Sequence, residues 1–109
     1  MRHQDLDRVS LEVARRVAAR LESHPELIEA ARANLRRWID RNSNAPRLLK
    51  GYEEWLSILD LSIPQVQATL TAETDEGQRL RQNSPFVGVL SQEEIKAIRA
   101  AVRDDQRAA

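Results

Sequence analysis

The feature that most constrains this chain is the spacing of its apolar residues. Leu6, Val9, Val13, Val17 and Leu21 recur every three or four positions, the interval that returns side chains to one face of an α-helix. A second stripe runs through Leu27, Ile28, Ala31, Leu35, Trp38 and Ile39, and a third through Leu48, Leu49, Tyr52, Trp55, Leu56 and Leu59. No pair of segments shows the alternation of period two that a half-buried strand requires. Helices with one apolar stripe each must bury those stripes against one another, so the pattern predicts an all-α fold of about five or six helices. A chain of 109 residues makes this a single helical domain over residues 1–109 with one modest core.

The punctuation between stripes sets the boundaries. The first helix should end near His24, with Pro25 at the first position of the second, where a missing N–H leaves no helical bond unmade. The run "NSNAP" closes that helix and opens the third. Gly51 inside the third stripe costs on the order of 1 kcal/mol against Ala, and is read either as close packing or as a later helix start. Ser62 and Pro64 start a short fourth helix carrying Val66 and Leu70, and Thr74 or Asp75 caps a fifth that runs to about Gln82. Ser91 stands three residues before Glu94, the reciprocal capping pair of a last helix bearing Ile95, Ile98 and Val102.

Composition removes several function classes. Charged residues at 31% and apolar ones at 41% fit a folded protein rather than a disordered one. Without cysteine there is no disulfide, thiolate nucleophile or Cys-based metal site, which is compatible with a reducing cytoplasm. The charged start "MRHQDLDRVS" and a longest apolar run of only "FVGVL" argue against a cleaved leader and a membrane span, so a cytoplasmic protein with no membrane partner is expected. Two histidines, no Gly-rich phosphate loop and no zinc spacing leave no metal, cofactor or catalytic residue to nominate. The adjacent pairs Glu53/Glu54 and Glu93/Glu94 diverge by about 100° on a helix and cannot share a proton. The chain is therefore read as a binding protein and not an enzyme.

The net charge of zero conceals an asymmetry. Residues 1–50 hold eleven Lys/Arg against seven Asp/Glu, and residues 51–109 hold six against ten. Arg32 and Arg36 lie one helical turn apart, as do Arg37 and Arg41, while Arg15, Arg16 and Arg20 form a second cluster. Such stripes suit phosphates, and a DNA-binding regulator acting on promoter DNA is one expectation. Pairing within the helices competes with it, through Glu12 with Arg16, Glu29 with Arg32, and Asp40 with Arg36 or Arg37. No helix-turn-helix pattern is recognisable.

One segment departs from the helical pattern. Residues 83–91 include "SPFVGVL", where Pro85 pushes Ser84 towards an extended backbone, Gly88 permits a bend, and the apolar residues are too interrupted for a stable helix. An extended linker is expected here, with Phe86 and Leu90 as apolar anchors that need a surface, either the protein's own core or a groove on a partner.

The span from "YEEWLSILD" through "RLRQNSPFVGVLSQEE" resembles a family of small bacterial antitoxin-like proteins encoded beside a toxin gene. Their C-terminal half carries a Trp, then Leu-Asp, then a charged stretch closing in Leu-Arg-Gln, Ser-Pro-Phe, Gly-Val-Leu and an acidic helix start. The corresponding residues are Trp55, Leu59, Asp60, Leu80, Arg81, Gln82, Ser84, Pro85, Phe86, Gly88, Val89, Leu90 and Glu94. The likeness covers the last half of the chain; the first half agrees only in being helical and Arg-rich. Val87 stands where the family pattern has a smaller residue, and the tail after Glu94 lacks the pattern's aromatic and basic cluster. The resemblance implies a cytoplasmic antitoxin of a toxin-antitoxin system that neutralises its cognate toxin by direct binding through Arg81, Gln82, Ser84, Pro85, Phe86, Gly88, Val89 and Leu90. Self-association into a homo-oligomer stays open.

Overall fold

The apolar stripes are realised as helices in the structure, a computed structural model that describes residues 3–108. Six helices follow one another: α1 (His3–Ser23), α2 (Leu27–Arg41), α3 (Pro46–Leu59), α4 (Ile63–Leu70), α5 (Asp75–Arg81) and α6 (Gln92–Ala108). Among the described residues there is no strand.

Helix α1 is the central strut. It packs against α4, α5 and α6, burying Val9, Ala14, Val17, Ala18 and Leu21. Ala14 and Ala18 put small side chains on this buried face. Helices α2 and α3 form a hairpin through residues 42–45, closed by the Trp38 and Tyr52 rings at 5.5 Å between centroids. Ile28, Ala31 and Leu35 of α2 face Tyr52, Trp55 and Leu59 of α3 in one continuous core.

Several ends follow their capping residues. Thr74 accepts from the Gly77 N–H at 3.0 Å, and Ser91 and Glu94 exchange both bonds of the reciprocal cap at 3.0 and 3.1 Å. Ser62 forms the same device with Gln65, a partner the sequence reading passed over. Helix α2 begins later than expected: Pro25 and Glu26 lie in a turn in which the Leu27 N–H donates to the His24 carbonyl, and the helix proper starts at Leu27. Leu48 is another correction, since it is exposed and Leu49 is half-buried.

A few specific contacts fix how neighbouring elements meet. Trp55 is fully buried and donates its indole N–H to the Leu80 carbonyl at 2.9 Å, tying α3 to α5. Phe86 meets Trp55 edge-on, with centroids 6.3 Å apart. Arg32 donates to Asp60 at 2.6 Å and to the Leu59 carbonyl at 2.9 Å, binding α2 to the end of α3. Gly77 allows α5 to lie directly on the turn after α4, because a Cβ there would overlap the Ala72 carbonyl oxygen. Gly51 lies well inside α3, which removes the late-start reading, and a Cβ would reach only the Asn83 side-chain amide, at 3.4 Å.

Candidate functional site

The segment between α5 and α6 explains its own composition. Pro85, Phe86 and Leu90 are buried, so the two apolar anchors face the protein's own helices. Three hydrogen bonds hold the path. Asn34 of α2 donates to the Pro85 carbonyl at 2.8 Å, the Ser84 hydroxyl accepts from the Phe86 N–H at 3.3 Å, and Arg20 of α1 donates to the Val89 carbonyl at 2.9 Å. The chain reverses at Val87 and Gly88, where Gly88 has φ +86°, a left-handed conformation that strains any residue with a Cβ. It then enters the Ser91 cap, where Glu94 also receives a bond from Arg20. The Ser91 N–H bond, followed by Arg20, holds the Glu94 carboxyl below the ordinary carboxylate range.

The reversal leaves one apolar side chain outside. Val87 is 67% exposed, the largest exposure among the large hydrophobic residues described. It stands on the lip of a groove of about 380 Å³ between the segment, α1 and α6. Val13, Phe86, Leu90 and Ile95 form its apolar lining, with Arg81, Gln82, Ser84 and Gln92 as the polar groups around them. A smaller hollow of about 70 Å³ shares Val13, Arg81, Ser84 and Phe86 with it and reaches Leu70 and Val17.

The motif residues thus separate into three roles. Pro85, Phe86 and Leu90 fasten the segment to the core. Arg81 donates to the carbonyls of Leu70 and Ala72 at 3.1 and 2.7 Å, closing the C-terminus of α4; burial pushes its pKa below the ordinary arginine value, against the pull of Asp7 and Glu73. Gln82 and Gly88 are open to solvent and Ser84 and Val89 are half-buried; Val87, where the chain departs from the family pattern, is exposed beside them. Val13, Ile95 and Gln92 join this surface although the motif does not contain them; the only sequence signal for Val13 and Ile95 was their place on apolar stripes.

The basic residues sort differently. Arg32 is held by Glu29, Asp60 and the Leu59 carbonyl, and the Asp60 bond raises its pKa first. Arg37 donates to the Asn34 side chain, while Arg36 and Arg41 are exposed and meet no carboxylate among the described residues. Glu12 pairs with Arg15 rather than Arg16, and Arg20 is committed to Glu94. Among the described residues no group of His, Cys, Asp and Glu is placed to hold a metal ion, and no helix is long and apolar enough to cross a membrane. Comparison with protein-family models, curated proteins and solved structures finds no match.

Proposed function

We propose that this protein is an antitoxin that neutralises its cognate toxin by direct binding, and that the Val87–Gly88 turn and the groove beside it are the docking surface. The observation that carries the reading is the exposed Val87 above an apolar lining of Val13, Phe86 and Ile95. A β-branched apolar residue at a solvent-facing turn contributes little to folding, and its contact area becomes useful when a second apolar surface covers it. The buried Phe86 and Leu90 act indirectly, by holding the turn in one conformation so that little ordering entropy is lost on binding. The likeness in the Leu80–Leu90 motif suggests the class of partner.

The test is co-expression with the toxin encoded beside the gene. Val87→Asp should lower affinity by more than about tenfold, as expected for a central apolar contact replaced by a charge, and rescue of growth should fail. Its melting temperature should stay within about 2–4 °C of the parent, because an exposed substitution usually changes stability by no more than about 0.5 kcal/mol. Full rescue and unchanged affinity in this variant would reject the groove as the docking surface. A DNA-binding regulator using Arg32, Arg36, Arg37 and Arg41 is the weaker reading, since Arg32 is occupied by Asp60 and Leu59.

A further inference from the structure

Arg81 stands where three hollows of the surface meet. It lines the Val87 groove of about 380 Å³, the hollow of about 70 Å³ beside it, and a third of about 210 Å³ that carries Asp7, Glu73 and Asp75. Among the described residues Arg81 is the one charged side chain that lines either of the first two. The acids of the third are engaged elsewhere, since Asp7 accepts from Gln78 at 2.6 Å and Glu73 lies 3.6 Å from Arg15. The guanidinium commits a single nitrogen to the fold: Nη1 makes both bonds to the Leu70 and Ala72 carbonyls. Its Nε and Nη2 donate no hydrogen bond among the described residues. Those two N–H groups form one edge of the planar fork, an edge that receives both oxygens of a carboxylate in parallel. The Ser84 hydroxyl, which lines both hollows, accepts from the Phe86 N–H and keeps its own proton to donate.

We infer that the Arg81 end of the groove receives a side-chain carboxylate of the bound toxin, with a neighbouring aliphatic residue of the toxin filling the small hollow. The assignment rests on the reading of this groove as the docking surface, and it names the chemistry of the segment that docks. Charge complementarity selects the acid. A half-buried guanidinium between two hollows without a carboxylate is matched by an anion, and covering it with an apolar surface alone would leave two donors unmade. The hollow selects the aliphatic neighbour. Val13, Val17, Leu70 and Phe86 line it, and at about 10–15 Å³ for each water-sized group it holds roughly five, the size of a valine or leucine side chain. An acidic side chain fits better than a chain terminus, which is captured by backbone N–H donors, whereas the polar groups here are the side chains of Arg81, Gln82, Ser84 and Gln92.

The experiment has two arms. In the first, the ¹⁵N-labelled full chain is titrated with short capped peptides holding one Leu and one Asp, one to four positions apart in a Gly-Ser background, each matched by its Leu/Asn counterpart. At least one Leu/Asp peptide should saturate at a Kd of about 1 mM, shifting the Arg81 Nε signal and the amides of Val13 and Phe86, and its Asn counterpart should bind more than about tenfold more weakly. Equal binding of the pair, shifts elsewhere on the chain, or no saturable shift by about 10 mM overturns the assignment. This arm uses the parent chain alone, so a fold weakened in Arg81→Gln leaves it intact. In the second arm each Asp→Asn and Glu→Gln variant of the toxin encoded beside the gene is crossed with Arg81→Gln. One toxin carboxylate should cost more than about tenfold in affinity against the parent and less than about threefold against Arg81→Gln. If Val87→Asp releases the toxin and no carboxylate couples to Arg81, the docking surface stands and this assignment falls. If the toxin does not bind at all, the docking reading falls and the peptide titration decides this one. Self-association of the chain that Arg81→Gln abolishes would give the groove to a second copy and overturn the assignment.

Discussion

Gly77 separates local helix physics from tertiary packing, because the two call for opposite signs. In an isolated helix, Gly→Ala stabilises by about 0.5–1 kcal/mol, through better propensity and a less flexible unfolded chain. In the folded protein a Cβ at position 77 would overlap the Ala72 carbonyl oxygen and lie 2.9 Å from the Ala72 Cβ. The obstacle is backbone, so it can be relieved only by moving α5. Overpacking of this kind costs about 1–3 kcal/mol, and displacement of α5 also loosens the Thr74 cap at the same residue, a bond worth about 1 kcal/mol. Subtracting the propensity gain leaves a net destabilisation of about 1–3 kcal/mol, or roughly 5–15 °C in melting temperature for a domain of this size. Gly51→Ala is the internal comparison. It lies inside α3 and would meet only the movable Asn83 side chain at 3.4 Å, so it should raise stability by up to about 1 kcal/mol. Thermal and urea unfolding followed by far-UV circular dichroism reads both variants. Should Gly77→Ala melt at or above the parent, α5 does not pack against the Ala72 backbone as closely as described.

Two further outcomes follow from the segment. Phe86→Ala should cost about 3–5 kcal/mol, because the ring is buried edge-on to Trp55; calorimetry giving an unchanged melting temperature would place Phe86 outside the core. Glu94 has its carboxyl pKa depressed from 4.5 in the folded state, so its contribution is present above that value and disappears as the pH falls through the lower, folded value. Melting temperature should therefore decline as the pH drops below about 4.5, and Glu94→Gln should flatten part of that decline; an identical pH profile in the variant would show that Arg20 and Ser91 do not favour the charged form.

The sequence by itself determined the helices and most of their ends. Three-to-four periodicity is a property of backbone geometry, so Val9, Val17, Leu21, Leu35, Trp55 and Leu59 declared their buried faces without knowledge of what they face. The Thr74 and Ser91 caps were legible for the same reason, since each partner lies within one turn along the chain. Pro25 misled because a proline suited to a helix start also suits the turn before one. Everything that joins elements distant along the chain was decided by the tertiary structure. "SPFVGVL" showed that Phe86 and Leu90 need an apolar surface, and only the arrangement of α1, α3 and α6 supplied it internally while leaving Val87 in solvent. Arg32 and Arg36 look equivalent on their helix, yet one meets Asp60 twenty-eight residues away and the other meets no carboxylate among the described residues. Gly77 is demanded by Ala72 only once α5 folds back over the end of α4. Long side chains and close backbone contacts choose partners by distance in space, and that distance exists only after the helices have packed.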